Sequence, residues 1–69
     1  MEYLLITRNG DKITEQKATR DAVERVAIVF SVAHNLDISG FMEKFRNNEQ
    51  CAFAYRDGDF EIAVVAKNC

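Results

Sequence analysis

No proline or tryptophan occurs in this chain of 69 residues, and glycine appears only three times. A sequence so poor in chain breakers has no stretch that reads as a linker, a low-complexity tract or a boundary, so one domain spanning 1–69 is expected. Two cysteines are too few for a disulfide framework, and free thiols are the expected state. Cys51 reads as a small buried side chain at the start of a strand, and Cys69 as an end residue able to link copies in vitro. No apolar run exceeds five residues, Val26 to Phe30 being one of that length, far short of the roughly 20 that span a bilayer. Met1 to Arg8 also lacks the basic start, apolar stretch and cleavage site of a signal peptide, so no membrane role and a cytoplasmic location are expected.

Cofactor chemistry is as poorly provided for. Gly40 stands alone, without the spaced glycines of a phosphate-cradling loop. One histidine, two distant cysteines and scattered carboxylates do not give the close ligand spacing of a metal site. No catalytic residue, metal, cofactor or small-molecule substrate is therefore assigned, and the chain reads as a non-enzyme. His34 and Asp37, near Ser31 and Ser39, would be the one conceivable base and orienting carboxylate. A simpler account has His34 facing the negative end of a helix and Asp37 opening the next turn. The formal charge of −2, with both signs interspersed, argues against affinity built on neutralising phosphates, so nucleic acid is not the expected partner.

What the chain does have is one turn twice: Arg8-Asn9-Gly10-Asp11 and Arg56-Asp57-Gly58-Asp59. Asn-Gly or Asp-Gly between apolar runs predicts a hairpin with a type I′ loop, placing Arg8 opposite Asp11 and Arg56 opposite Asp59. Strands are expected at 3–7, 12–16, 51–56 and 59–67, with Tyr55 opposite Phe60, Phe53 opposite Ile62 and Cys51 opposite Val64. Between the hairpins the period becomes helical, over about 20–34 after a Thr19 cap and over about 39–48. In the first helix Ala22, Val26, Val29, Phe30 and Ala33 form the expected core face. Ile28 and Val32 lie on its flank, to be covered by the second helix. The second helix presents Phe41, Met42 and Phe45. The expected fold is α+β: ββααββ, a four-stranded antiparallel sheet of two hairpins, strands one and four central, both helices on one face.

The other face of that sheet is the unusual feature. With Phe53, Tyr55, Phe60, Ile62 and Val64 toward the helices, the second face shows Ala52, Ala54, Ala63 and Val65. Tyr3-Leu4-Leu5-Ile6 must add either Tyr3 and Leu5 or Leu4 and Ile6. A flat apolar patch with a rim of Arg56, Glu61 and Lys67 suits a protein contact. The residues assigned to it are Tyr3, Leu5, Ala52, Ala54, Ala63 and Val65, with Arg56 and Glu61 as rim. The expected function is that of a small protein-binding module, a regulator or inhibitor of the kind phages also encode. It would dock to a protein partner or to itself as a homodimer through the sheet face or its edge strands.

Ala33-His34-Asn35-Leu36-Asp37-Ile38-Ser39 resembles the turn of the helix-turn-helix DNA-binding family, whose pattern runs Ala-x-x-Leu-Gly-Ile-Ser. The resemblance covers seven residues and implies, as the alternative function, a DNA-binding regulator with a degenerate motif at 20–48. Asp37 replaces the turn glycine, and Glu43 and Arg46 stand where the recognition helix places apolar residues. Lys44 and Arg46 are the cations such a helix would use.

Overall fold

A computed structural model describes residues 2–47 and 51–67. The chain runs β1 (Glu2–Asn9), β2 (Lys12–Thr19), α1 (Arg20–Ala33), α2 (Ser39–Asn47), β3 (Ala52–Asp57) and β4 (Phe60–Ala66). All strand pairs are antiparallel, and the order across the sheet is β2-β1-β4-β3. The expected ββααββ architecture, with strands one and four in the middle, is the observed one.

Both turns differ from expectation by one position. Asn9 pairs with Lys12 and Asp57 with Phe60, so the two-residue loops are Gly10-Asp11 and Gly58-Asp59. Both glycines have positive φ, and Asn35 is the one non-glycine that does among the described residues. Positive φ at the first loop position alone belongs to a type II′ loop, which places glycine there without steric penalty. The register follows: Tyr55 pairs with Ile62, Phe53 with Val64 and Arg56 with Glu61, not with the partners two residues nearer the turn. Because side chains alternate with a period of two, this displacement leaves the residues of β3 and β4 on their expected faces.

Thr19 ends β2 and caps α1, its hydroxyl accepting from the Ala22 N–H at 3.3 Å. With no residue between strand and helix, the chain's exit from β2 sets the rotational phase of α1. The buried stripe is Val23, Ala27 and Ser31 rather than the face centred on Ala22, Val26 and Val29. Small Ala27 and Ser31 let the helix approach the sheet closely, and the Ser31 hydroxyl is satisfied within the helix by the Ile28 carbonyl at 2.7 Å. Arg20 and Glu24 flank this stripe and reach α2. Arg20 donates to the carbonyls of Arg46 and Phe45, at 2.7 and 3.5 Å, capping the negative end of α2. Glu24 pairs with Arg46 at 2.7 Å.

The C-terminus of α1 closes with Asn35 left-handed, the Leu36 N–H donating to the Ser31 carbonyl at 2.8 Å and the Asn35 N–H to that of Val32 at 3.4 Å. This two-bond cap turns the chain toward α2. The core lies between the helices and one face of the sheet, with Phe45 at its centre. Phe45 meets Tyr3 and Phe53 edge-on, with ring centroids 5.2 and 5.8 Å apart, and carries the Arg20 guanidinium over its ring at 5.1 Å.

Cys51 corrects another expectation, because it is exposed and disulfide-bonded rather than a buried free thiol. It lies just before β3, where its carbonyl accepts the Ala66 N–H at 2.8 Å and holds the chain against the end of β4. The expectation for Cys69, and the end of the second helix at Asn48, lie outside the described residues.

Phe45→Ala should destabilise the fold by about 3–5 kcal/mol in urea denaturation, because it empties the aromatic centre. Val32→Ala, at a position 76% exposed, should change stability by less than about 0.5 kcal/mol.

Candidate protein-contact surfaces

Strand alternation and the observed register lay out the face of the sheet that the helices leave open as three rows. Lys17, Leu4, Val65 and Ala52 form the first row from β2 across to β3; Glu15, Ile6, Ala63 and Ala54 form the second. Ile13, Arg8, Glu61 and Arg56 form the third. Beyond the first row, Glu2 lies beside Lys67, their side chains 3.9 Å apart. Six apolar side chains on β1, β4 and β3 therefore make a flat centre, with charge at both ends of the strands and along β2.

Tyr3 and Leu5 are not part of it. Both are 1% exposed on the helix side, packed into the core. Their expected places are taken by Leu4 and Ile6, because Tyr3 pairs with Ala18 and Ala66, whose side chains also face the helices. The other six assigned residues share the open face. Ala52, Ala54, Val65 and Arg56 are exposed, while Ala63 and Glu61 are half-buried.

Arg8 anchors the charged end. Its Nε lies 3.3 Å from Glu61 Oε1, and its other two nitrogens donate to the carbonyls of Gly10 and Gly58, each at 3.3 Å. One guanidinium thus ties both hairpin turns, which also meet through the Gly10 N–H and the Asp59 carbonyl at 2.9 Å. On the helix face the Thr7 and Thr14 hydroxyls hydrogen-bond between β1 and β2.

A second apolar surface was not legible as such. The rotation of α1 turns Val29 and Val32 to solvent, 63% and 76% exposed, with Ile28 at 46%. α2 does not cover Ile28 and Val32 as expected, since the contact between helices is made on the Arg20 and Glu24 side. Arg25, Val26, Val29, Phe30, Ala33 and His34 line a shallow, almost wholly apolar depression there. The signal in the sequence was the surplus itself, since α1 carries apolar residues around most of its circumference.

His34 stacks on Phe60 with ring centroids 4.4 Å apart and meets Phe30 edge-on at 4.7 Å. Asp37 accepts instead from the Ser39 hydroxyl and N–H, at 2.8 and 3.1 Å, fixing the start of α2. The conceivable base and carboxylate are thus each engaged elsewhere. The left-handed residue of the interhelical turn is Asn35, not Asp37, which is where the helix-turn-helix resemblance needs it. Among the described residues no group of three His, Cys, Asp or Glu side chains is placed to hold a metal ion, and no helix is long and apolar enough to cross a membrane.

Comparison with known proteins finds no matching family model, no similar curated protein and no similar solved structure.

The Ser39 hydroxyl, and then its N–H, hold the Asp37 carboxyl below its ordinary value, outweighing a small opposing effect of burial. A carboxyl lowered on folding stabilises the fold above its unfolded pKa, and that stability is lost as pH falls through the folded value. Acid titration followed by circular dichroism should therefore show the stability gap between the native protein and Asp37→Ala closing below the ordinary carboxylate range. Burial, followed by the charges of Asp57 and Asp37, raises the Tyr55 phenol. Its ionisation should move down toward the ordinary value in Asp57→Asn, read by ultraviolet absorbance.

Proposed function

We propose that this chain is a non-enzymatic protein-binding module whose contact surface is the open face of the sheet. The observation that carries the reading is the continuous centre of Leu4, Ile6, Ala63, Val65, Ala54 and Ala52, enclosed by charged side chains. A sheet exposed to water normally alternates apolar and polar residues, and here the alternation gives way on three adjacent strands. Small alanines leave the surface flat, and a flat apolar centre inside a polar rim is the anatomy of a protein interface. A regulator or inhibitor acts in this way, occupying a partner's surface without changing a covalent bond.

The test is capture with the tagged full chain, comparing native protein with Ala54→Glu. Because Ala54 is exposed, the glutamate should leave circular dichroism and melting within a few degrees of native while placing an unpaired charge inside the contact. Proteins retained by the native chain and lost by the variant are the expected result. Identical captures from both would overturn the reading.

A further inference from the structure

We infer that the occupant of the open face is a second copy of this chain, packed face to face about a two-fold axis parallel to the strands and lying between β1 and β4. This rests on the open face being a contact surface, and it names the partner.

Such an axis reverses the sheet order of the facing copy, so β1 lies over the facing β4 and β2 over the facing β3. Each row then meets its own mirror order. In the outermost row Glu2 meets the facing Lys67, and Lys67 the facing Glu2. In the row beside the turns Arg8 meets the facing Glu61, and Glu61 the facing Arg8. Both ends of the patch thus gain opposite-charge pairs, four in all, from one symmetry operation, with Arg56 lying over the facing Ile13. An axis in the same plane but across the strands would also set opposite charges together, Glu2 over the facing Arg8 and Lys67 over the facing Glu61, but it would press bulky Leu4 against bulky Ile6 and leave Ala52 against Ala54, so size rather than charge selects the axis along the strands.

Size follows the same order. Bulky Ile6 on β1 meets small Ala63 on β4, the long stems of Lys17 and Glu15 on β2 cover Ala52 and Ala54 on β3, and Leu4 meets Val65. Large against small across a sheet interface is what interdigitation at about 10 Å requires. The usual crossing of about 30° displaces the end rows by about one strand spacing, roughly 5 Å, within the reach of arginine and lysine. Four strands at about 4.8 Å over about six residues give a flat area of about 400 Å² per copy, below the roughly 600 Å² per partner at which stable interfaces begin and in the range of weak, transient contacts. Association should therefore be weak and reversible, with dissociation in the micromolar range.

The experiment is light scattering from micromolar to millimolar concentration, with gels run without reductant to exclude intermolecular disulfides. The native protein should pass from 7.9 kDa to twice that mass. Ala63→Glu should stay monomeric and folded, and Val29→Lys on the outward face of α1 should dimerise as native. Glu2→Lys and Lys67→Glu should each weaken association about fivefold or more, since each sets like charges opposite one another at two places. An equimolar mixture of the two should regain native affinity as a heterodimer. That rescue excludes an effect through the Glu2–Lys67 pair within one chain, which mixing leaves broken. A native protein monomeric throughout, a dimer surviving Ala63→Glu, a dimer lost in Val29→Lys, or no rescue on mixing would each overturn the proposal. A native monomer whose capture of a different protein is lost in Ala54→Glu would overturn the dimer and leave the binding module standing; losing both would remove both.

Discussion

Everything in this fold depends on the antiparallel pairing of β1 with β4. Each hairpin closes locally, but an isolated two-stranded hairpin is marginally stable in water. The register from Tyr3–Ala66 to Asn9–Phe60 joins them into one sheet and creates the face on which the helices pack. It also brings both turns to one end, where Arg8 holds the carbonyls of Gly10 and Gly58 while pairing with Glu61. Because these partners lie some fifty residues apart in sequence, the helices must be accommodated before the central pairing is complete. Loop-closure entropy therefore falls mainly on this one contact.

The same pairing explains why the open face is apolar. β1 and β4 are the two central strands and supply the core with Tyr3, Leu5, Ile62 and Val64. Their alternate residues Leu4, Ile6, Ala63 and Val65 then appear on the other side, beside alanines of β3. Core demand accounts for half of each strand and says nothing about the other half, where lysine or glutamate would satisfy the backbone equally well. No such residue stands at Leu4, Ile6, Ala63, Val65, Ala52 or Ala54, and the proposed contact rests on that.

Element order, strand placement and the α2 core were legible because they rest on local signals: the glycine turns, the Thr19 cap and the spacing of Phe41, Met42 and Phe45. The rotational phase of α1 was not. Its apolar residues occupy most of the circumference, so periodicity could not choose between the face of Val26 and Val29 and that of Val23 and Ala27. What decided was tertiary: the absence of a linker after β2, the close approach permitted at Ala27 and Ser31, and the reach of Arg20 to the end of α2. Strand one posed the same problem with two apolar faces, and Tyr3 and Leu5 were assigned to the wrong side. Phe45 decides it, because its ring meets the Tyr3 ring edge-on at 5.2 Å on the helix side, which leaves Leu4 and Ile6 outside.

The edges of the sheet bear on how it would associate. β2 carries Lys12, Glu15 and Lys17 along an exposed edge, and an edge of alternating charge resists adding another strand. β3, the other edge, has only six residues and ends in Arg56 and Asp57. Short, charged edges are the usual defence against open-ended strand addition, which would lead to fibres rather than closed assemblies. With the edges guarded and the face left apolar, the surface pattern favours a contact that stacks sheets over one that extends them. A stacked two-fold contact closes on itself and buries the exposed alanines, and it leaves the outward face of α1 untouched.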